Sequence, residues 1–515
     1  MFPHMVRSPL LPPPLPHWPG ILYATSAAAA EVATVAAAWR RLQEETLWWP
    51  VPRARASCPR AVAFAAKGMA QARAHFDDAE IASGSELAAI DPARLEAVFA
   101  PPPTVARWAA MGGIRICGVP VPDVEADLRV AQGRCPWSDR TIDLATALEA
   151  QALLRAAALR ACGPVTFVDL SRWKRRCLEP FFQGPDGSPR RATGTAVEAT
   201  RPTVRWGTPE TRHATFHVED GFLRSIGLGL QYALPVSLVV ASGPLHLDAT
   251  RRNAFDDLVA AVDFTPALRA RAARLRHEIV RLRLTKYNLR GVAALPDPGD
   301  RPAILVPGQV EDDASIRLGT FAVTRNQALL EAVRSRFPEA FILFKPHPDV
   351  VAGKRPGAVI AADALRFADA VADNAAMPDC LDWATRVATM TSLTGFEALL
   401  RGKAATTFGR PFYAGWGLTD DVDPPQRERG LTLDELVAAA LILYPSYIDP
   451  VTRLPAPVEV AIAALAGRRA SAAPRTKLLN TLRYRILPTL AEMPEAAVVR
   501  LSRALRPRGA HHNVS

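Results

Sequence analysis

The sequence predicts an α/β protein with a GT-B-like arrangement, in which two Rossmann-type, doubly wound domains face a cleft. Short apolar segments alternate with helical segments in two series, and a turn-rich linker, AALPDPGDRP at 293–302, separates the series. The length of 515 residues leaves room for several domains, and a hydrophobic share of 49% excludes a globally disordered chain.

Four regions follow from these patterns. Residues 1–136 contain a proline-rich start, alanine-rich helical stretches and the linker APPPT, so a helical or irregular region of unclear role is expected. Residues 137–292 are predicted to form the first Rossmann-like domain and residues 300–452 the second. Residues 453–515 are predicted to be a basic helical tail.

The first domain is expected to contain a strand between helices, followed by a second αβ stretch and a long basic helix. The segments are TIDLATALEAQALLRAAALRA (helix, 141–161), VTFVDL (strand, 165–170), SLVVASGPLHL (237–247), FDDLVAAVDF (helix, 255–264) and PALRARAARLRHEIVRLRLTKYN (helix to Asn288). The second domain repeats the alternation. Its segments are AILVPGQ (strand, 303–309), LLEAVRSRF (helix), AFILF (strand, 340–344), RVATMTS (386–392), GFEALLRGK (helix) and AATTFG (strand, 404–409).

Charge and cysteine usage restrict the setting. The net charge is +11, and the segment 468–515 carries ten Lys or Arg against Glu492 and Glu495. Such a tail either lies on an anionic membrane surface or is solvated, and without a recognised nucleic-acid module we expect no nucleic-acid partner. Six scattered cysteines and the lack of a signal-peptide pattern favour the cytoplasm and argue against disulfides or a zinc site.

KPHP, at 345–348, follows the apolar strand FILF and holds His347 between two prolines. Because ligands of open α/β sheets bind beyond the carboxyl ends of the strands, Lys345 and His347 are candidates for holding a phosphate. The alternative is a loop histidine that caps a helix or a carbonyl.

TSLTGFEALLRGK, at 391–403, runs from a strand end into a helix. The hydroxyls of Ser392 and Thr394, with Gly395 and the backbone N–H groups, suit an anion, and Glu397 is placed to accept from a ribose diol. The alternative is an ordinary helix start.

VEDGFLRS, at 218–225, presents Glu219 and Asp220 before a glycine, and sugar transfer needs such a carboxylate as base or nucleophile. Arg224 is a candidate partner for a substrate carboxylate. The alternative is a surface Asp-Gly turn. In VPGQVEDDAS, at 306–315, the acidic spacing matches no calcium loop, so a solvated loop is favoured over a metal site.

Ordered motifs over about 137–452 resemble the bacterial capsule polysaccharide biosynthesis family of the KpsC/LipA type. They are SRWKRR, EDGFLRSIGLG, LTKYN, VPGQVEDDASI, KPHPDVVAGKR, MTSLTGFEALLRGK, PFYAGWGLTDD and LYPSYIDP. The second domain is most similar to the C-terminal module of members that carry two transferase modules. A partner chain is therefore one possible source of a second module.

This resemblance implies a retaining β-Kdo glycosyltransferase with GT-B architecture. It would use CMP-β-Kdo as donor and the Kdo linker on phosphatidylglycerol as acceptor, at the inner face of the cytoplasmic membrane with other capsule assembly and export proteins. Asp220 would be the catalytic carboxylate with Glu219 beside it. The donor CMP would be bound by Lys345, His347, Ser392, Thr394, Gly395, Glu397 and Gln309, without metal or other cofactor. The alternatives are a transferase for another CMP-ulosonic acid and a non-catalytic polysaccharide- or lipid-binding component of capsule export.

Overall fold

The structure is a computed structural model. It describes residues 11, 21–24, 32–49, 57–85, 87–160, 165–184, 189–192, 201–207, 215–227, 233–289, 291, 294–353 and 355–471. The part of the predicted basic tail that follows residue 471 lies outside the described residues. Over the described ranges, no helix has both the length and the apolar character needed to cross a bilayer.

The N-terminal region contains two small sheets, so the expected helical or irregular region is wrong in this respect. Strands β1 (Leu22–Ala24), β6 (Ala131–Arg134) and β7 (Thr141–Ile142) form an antiparallel sheet, and β2 (Ala61–Ala63), β3 (Ile81–Ser83), β4 (Ala97–Phe99) and β5 (Arg115–Cys117) form a parallel sheet in the order β3-β2-β4-β5. The parallel strands have only three residues each, so packing against neighbours rather than local propensity decides whether they form. Burial of Val62 and Val98 in the local core stabilises them. The helices of this region are α1 (Val32–Glu44), α2 (Ala65–Ala72), α3 (Pro103–Met111), α4 (Val124–Arg129) and α5 (Leu144–Arg160).

The first of the two large sheets is mixed rather than purely parallel. Its strands are β8 (Thr166–Val168), β9 (Arg190–Ala192), β10 (Thr203–Trp206), β11 (Phe216–Asp220), β12 (Ser237–Ala241), β19 (Pro445–Ile448) and β20 (Pro455–Ala456). The order is β20-β19-β12-β11-β10-β8-β9, parallel from β9 to β11 and antiparallel from β11 to β20. The chain returns to this sheet at Pro445, so the sheet crosses the domain boundary that was predicted at residue 452.

The helices beside this sheet are α6 (Arg172–Leu178), α7 (Ala254–Ala261) and α8 (Pro266–Arg281). Helix α8 ends seven residues before the predicted end at Asn288. Arg283 and Asn288 have φ angles of 52° and 51°, in the left-handed region that a right-handed helix cannot contain. The segment 282–288 is therefore a structured turn.

The second large sheet is entirely parallel. Its strands are β13 (Ala303–Pro307), β14 (Phe341–Lys345), β15 (Ala370–Val371), β16 (Arg386–Thr389), β17 (Ala404–Thr407) and β18 (Asp420–Asp421). The order β15-β14-β13-β16-β17-β18 is that of a Rossmann fold, with the strand order reversing between β13 and β16. Every residue of β13 and β14 is buried, as their apolar runs predict.

Helices α9 to α16 accompany this sheet and the return of the chain to the first one. They are α9 (Ala314–Gly319), α10 (Asn326–Arg336), α11 (Pro348–Val351), α12 (Ala361–Ala364), α13 (Met377–Trp383), α14 (Leu393–Leu400), α15 (Leu433–Val437) and α16 (Val458–Ser471).

An aromatic core joins the two large sheets. Phe222, just after β11, stacks on Phe412 of the second unit with ring centroids 4.3 Å apart, and Phe396 of α14 packs against both rings. Buried aromatic pairs of this kind stabilise an interface beyond the area that they bury. The packing holds the turn after β11 close to helix α14, where the candidate site lies.

Candidate active site

Gln309 lies at the point where the strand order of the second sheet reverses. Its side-chain Oε1 accepts hydrogen bonds from the N–H of Thr391 (3.0 Å) and the hydroxyl of Thr389 (3.1 Å), and its Nε2 donates to Thr391 Oγ1 (2.9 Å). Gln309 thus ties the loop after β13 to the loop after β16, at the place where open α/β sheets bind ligands. Its direct contact with a donor stays a prediction.

His347 caps the short helix α11. Its Nδ1 accepts the N–H of Asp349 at 3.1 Å, so the proton of the neutral ring is on Nε2. Burial lowers the pKa of His347, and the nearby Asp349 carboxylate only partly opposes this. At neutral pH the ring is therefore a neutral hydrogen-bond donor. A Cβ at Gly308 would lie 3.2 Å from the main chain of His347 and Pro346, so glycine allows the two loops to pack this closely.

The side chain of Lys345 does not lie at the reversal of the strand order, next to His347. Its side chain is buried, and Nζ donates to the carbonyl of Ala372 at 3.4 Å, on the β15 side of β14 and away from the reversal between β13 and β16. Burial lowers the pKa of Lys345. Lys345 lies on the same face of β14 as Leu343, which packs against Cys380 of α13. Its role in phosphate binding stays a prediction, and the structure shows a contact with the protein instead.

Ser392, Thr394 and Gly395 build the start of α14. Ser392 Oγ accepts the N–H of Thr394 (3.2 Å) as the helix N-cap and lies 3.1 Å from Thr394 Oγ1. A Cβ at Gly395 would lie 2.3 Å from the hydroxyl oxygen of Tyr413, so glycine admits the tyrosine that donates to the Ser392 carbonyl. These contacts define the loop geometry next to Gln309, and donor binding by the three residues stays a prediction.

Glu397 connects α14 to the turn after α8. Its Oε1 accepts the N–H of Lys286 at 2.8 Å, and only 6% of the residue is exposed. Burial raises the pKa of Glu397 to about 7, although the neighbouring Arg401 acts in the opposite direction. The predicted contact with a ribose is untested, whereas the bond to Lys286 is present.

Asp220 ends strand β11 and is oriented by Arg224. The Arg224 Nε donates to Asp220 Oδ2 at 2.5 Å, while Asp220 Oδ1 is buried and has no hydrogen-bond partner among the described residues. Arg224 also donates to Ser225 Oγ (2.9 Å) and to the carbonyl of Ala233 (3.2 Å), and it is 4% exposed. Arg224 therefore positions the carboxylate. Its pairing with a substrate carboxylate stays a prediction.

Glu219 and His347 belong to one electrostatic environment. Burial raises the pKa of Glu219 to about 7, the charge of Asp220 adds to the effect, and Lys286 opposes it. Lys286 and Asp313, which both act on the pKa of Glu219, also act on that of His347. The pKa of Glu219 in the first unit and that of His347 in the second unit therefore respond to the same two neighbouring charges.

Residues 284–288 form the part of the site whose role the sequence did not indicate. The carbonyl of Lys286 accepts the N–H groups of Arg224 and Ser225 (both 3.2 Å), and the carbonyl of Tyr287 accepts that of Gly227 (2.9 Å). The sequence identified LTKYN as a motif of the family, but it was predicted to be the end of a helix and no chemical role was assigned to it.

Lys174 and Asp313 were also missed. Lys174, in SRWKRR, lies near Glu219 and Asp220, whose charges act on its pKa. Asp313, interpreted as part of a solvated loop, caps α9 by accepting the N–H of Ser315 (2.9 Å).

Two cavities of the described structure do not coincide with this centre. One of about 450 Å³ is lined by Glu311, Arg317 and Arg325 among others, and one of about 610 Å³ by residues including His246 and Arg427. Neither contains Glu219, Asp220 or His347, so we assign the site from the chemistry of its side chains. In the described part of the chain no group of three or more His, Cys, Asp or Glu is arranged to hold a metal ion.

Comparisons with known proteins match this region. Residues 269–447 match the family model described as capsule polysaccharide biosynthesis protein. The capsule polysaccharide modification protein LipA of Neisseria meningitidis serogroup A is 41% identical over 306 residues, which cover 56% of this chain and 44% of LipA. The lipopolysaccharide-processing protein LpsZ of Rhizobium meliloti is 41% identical over 278 residues, covering 51% of this chain and 63% of LpsZ. The chain thus spans about half the length of the curated relatives that it matches.

Two solved structures of Thermosulfurimonas dismutans KpsC are also similar. The one described as a beta Kdo 2,4 transferase is 31% identical with a TM-score of 0.52, over 59% of this chain and 98% of its own. The one described as a beta Kdo 2,7 transferase is 32% identical with a TM-score of 0.49, over 59% and 99%. The sequence relatives, the family model and the 2,4 transferase agree with the fold and motifs above, and the chain belongs to the capsule polysaccharide biosynthesis family of the KpsC/LipA type.

Proposed function

We propose that this protein is a retaining glycosyltransferase that transfers Kdo from CMP-β-Kdo to the lipid-linked oligo-Kdo linker of a capsular polysaccharide. The observation that carries the proposal is the turn at Lys286, whose carbonyl accepts the N–H groups of Arg224 and Ser225 just after Asp220 and whose N–H donates to Glu397 of α14. It joins a pair of carboxylates to a phosphate-binding candidate at the reversal of a Rossmann sheet. The similar structure described as a beta Kdo 2,4 transferase supports the choice of Kdo.

Asp220 is the nucleophile in this proposal. Arg224 holds Oδ2, which leaves Oδ1 to form a bond with the anomeric carbon as the bond to the CMP phosphate breaks. A hydroxyl of the acceptor sugar then displaces Asp220 and loses its proton to Glu219. A group with a pKa of about 7 suits this proton transfer near neutral pH. Two displacements at one carbon retain its configuration.

His347 assists the departure of CMP. With Nδ1 engaged by Asp349, the Nε2–H is the group that donates to the phosphate on which negative charge develops. The mechanism uses the ring in its neutral form, in agreement with the direction of its pKa. The protein's own groups are thus sufficient for each proton transfer proposed here. We place the reaction at the inner face of the cytoplasmic membrane, with other capsule assembly proteins as partners.

The test is release of CMP on incubation of the full chain with CMP-Kdo and a β-Kdo-terminated acceptor. Asp220→Ala should lower the transfer rate by about 10³-fold or more, since the residue makes and breaks the reacting bond, and should leave CMP affinity within about threefold. Asp300→Ala, an exposed carboxylate of the linker, is the matched control and should behave as the unaltered protein. An unaltered rate in Asp220→Ala would exclude the nucleophile assignment. Absence of both turnover and CMP binding in the unaltered protein would exclude the function.

A further inference from the structure

This inference rests on the proposed function and concerns the donor's second negative charge. A CMP-activated ulosonic acid carries a phosphate and, on the reacting carbon itself, a carboxylate. Glu219 and Asp220 repel that carboxylate whenever they are ionised, so productive binding needs a cation close to it. Several lysine and arginine side chains near the site could supply this cation.

The two cations that the sequence suggested are engaged elsewhere. Arg224 forms a short ion pair with Asp220 and is almost fully buried. Lys345 donates to Ala372 on the far side of β14. Both side chains thus already donate hydrogen bonds to the protein.

Two further cations near the site also have protein partners. Arg355 pairs with Asp312 at 2.6 Å. The ammonium of Lys174 lies over the ring of Trp206, 4.6 Å from its centroid. Lys286 also lies over an aromatic ring, but at the longer distance of 5.3 Å from the Tyr287 centroid, so Lys174 is the more firmly held cation and the rival candidate.

Lys286 has the geometry that the others lack. Its carbonyl accepts two N–H groups from the turn that follows Asp220, and its own N–H donates to Glu397 of α14 at 2.8 Å. The main chain of this one residue is therefore held from both units, at the cleft between them. Its side chain is half-buried, its ammonium lies over the Tyr287 ring 5.3 Å from the centroid, and it forms no salt bridge within the described ranges.

The electrostatics agree with this placement. Burial lowers the pKa of Lys286, but Tyr287 and Asp220 outweigh burial and hold it above its usual value. The ammonium is therefore charged at every pH at which the protein would work. The charge of Lys286 also acts on Glu219 and His347, which lie on opposite sides of the cleft.

We propose that the Lys286 ammonium binds the carboxylate of the ulosonic acid donor, while the Nε2–H of His347 binds its phosphate. The carboxylate is attached to the anomeric carbon, so an ion pair with Lys286 determines which face of that carbon meets Asp220. Sugars without a carboxylate at this carbon leave the ammonium unpaired in a partly desolvated cleft. The site would accordingly select ulosonic acids over neutral nucleotide sugars.

The experiment compares CMP with CMP-Kdo by calorimetry in the Asp220→Asn background, which prevents turnover. Lys286→Met should weaken CMP-Kdo binding about 10- to 100-fold, the range for a charge-assisted hydrogen bond, and leave CMP binding within about threefold. Lys286→Arg should restore most of the loss. Lys403→Met is the matched control: it removes a partly exposed lysine whose ammonium donates to the Asp382 carbonyl, and it should change neither affinity.

The ratio of the two affinities, taken from one preparation, cancels any unfolded fraction, and Lys286→Gln serves as a second variant. Equal losses of CMP and CMP-Kdo affinity would assign Lys286 to the phosphate and overturn the proposal. Loss of discrimination in Lys174→Met but not in Lys286→Met would also overturn it. If the parent binds neither ligand, the proposed function itself fails, which is a separate result from discrimination that persists without Lys286.

Discussion

Adjacent carboxylates at the end of β11 have different environments. Asp220 Oδ2 forms an ion pair with Arg224 Nε at 2.5 Å. The pKa of Glu219, in contrast, is raised mainly by burial and by the charge of its neighbour Asp220. Divergent environments of this kind allow two acids to take different roles in one reaction, one as an ionised nucleophile and the other as a proton carrier. Gly221 makes the turn possible, since a Cβ there would lie 2.3 Å from Ser237 Oγ.

The pH dependence of transfer should report Glu219. A base must be ionised, so with a pKa of about 7 the rate should rise as the pH increases from 6 to 8 and then level off. Glu219→Gln should be slower by about 10²-fold and lack this rise. The measurement is kcat between pH 5.5 and 9 with saturating donor. A rise near pH 7 that persists in Glu219→Gln would assign the titration to another group.

His347 has two functions that substitutions can separate. His347→Asn keeps an oxygen that can cap α11, whereas His347→Ala removes the cap as well, at a cost of about 1 kcal/mol. Both should weaken CMP binding about tenfold because both remove the Nε2–H. Calorimetry and thermal unfolding measure the two effects. CMP affinity retained in His347→Asn would contradict the phosphate contact.

At the scale of elements, the turn after α8 joins the two halves of the site. Asn288 holds the turn: its Nδ2 donates to the Ser225 carbonyl (3.0 Å), and its Oδ1 accepts the N–H of Thr285 (3.0 Å). Asparagine tolerates the left-handed conformation found here better than most residues. Lys286 is thereby carried on a rigid turn.

Asn288→Ala should destabilise the protein by about 2–4 kcal/mol, because it removes buried hydrogen bonds and places alanine at a positive φ. Asn288→Gly also removes the hydrogen bonds, but glycine adopts the positive φ without strain. Its loss of unfolding free energy should therefore be about 1 kcal/mol smaller than that of Asn288→Ala. Denaturant unfolding monitored by circular dichroism distinguishes them. If Asn288→Ala were as stable as the unaltered protein, the turn would not depend on these bonds.

At the scale of the whole molecule, the chain leaves the second unit and completes the first. Strand β19 pairs with β12, and α16 contributes Val458, Ile462 and Leu465 to the core that contains Phe222 and Phe412. Ion pairs such as Arg252–Glu428 (2.6 Å) add polar contacts across the same interface. The two units therefore depend on each other for their cores.

A chain that ends at residue 444 should fail to fold cooperatively, since β12 loses one of its two partner strands and the shared core loses α16. A chain that ends at residue 471 keeps every described contact and should melt within a few degrees of the full chain. Thermal unfolding and size-exclusion chromatography compare them. Cooperative melting of the shorter chain near the normal temperature would show that the second unit folds independently.

Much of the site was accessible from local sequence. The strands β13 and β14 are buried on both faces and therefore continuously apolar, and the polar residues after them must lie at one edge of a parallel sheet. The KPHP and TSLTGFE motifs were correctly placed at strand ends, and the ordered motifs identified the family.

Only the tertiary structure decided how the charged side chains are used. Arg224 and Lys345 are predicted ligands for a substrate, and the fold adds that their side chains donate to Asp220 and to the carbonyl of Ala372. Lys286 gained its position from hydrogen bonds to residues 61 and 111 positions away in the chain, Ser225 and Glu397. The local sequence pattern shows which residues of a helix or strand are buried. The partner of a charged side chain, in contrast, depends on contacts between segments that are distant in the sequence. For the same reason the antiparallel return of β19 to the first sheet could not be inferred from its own four residues.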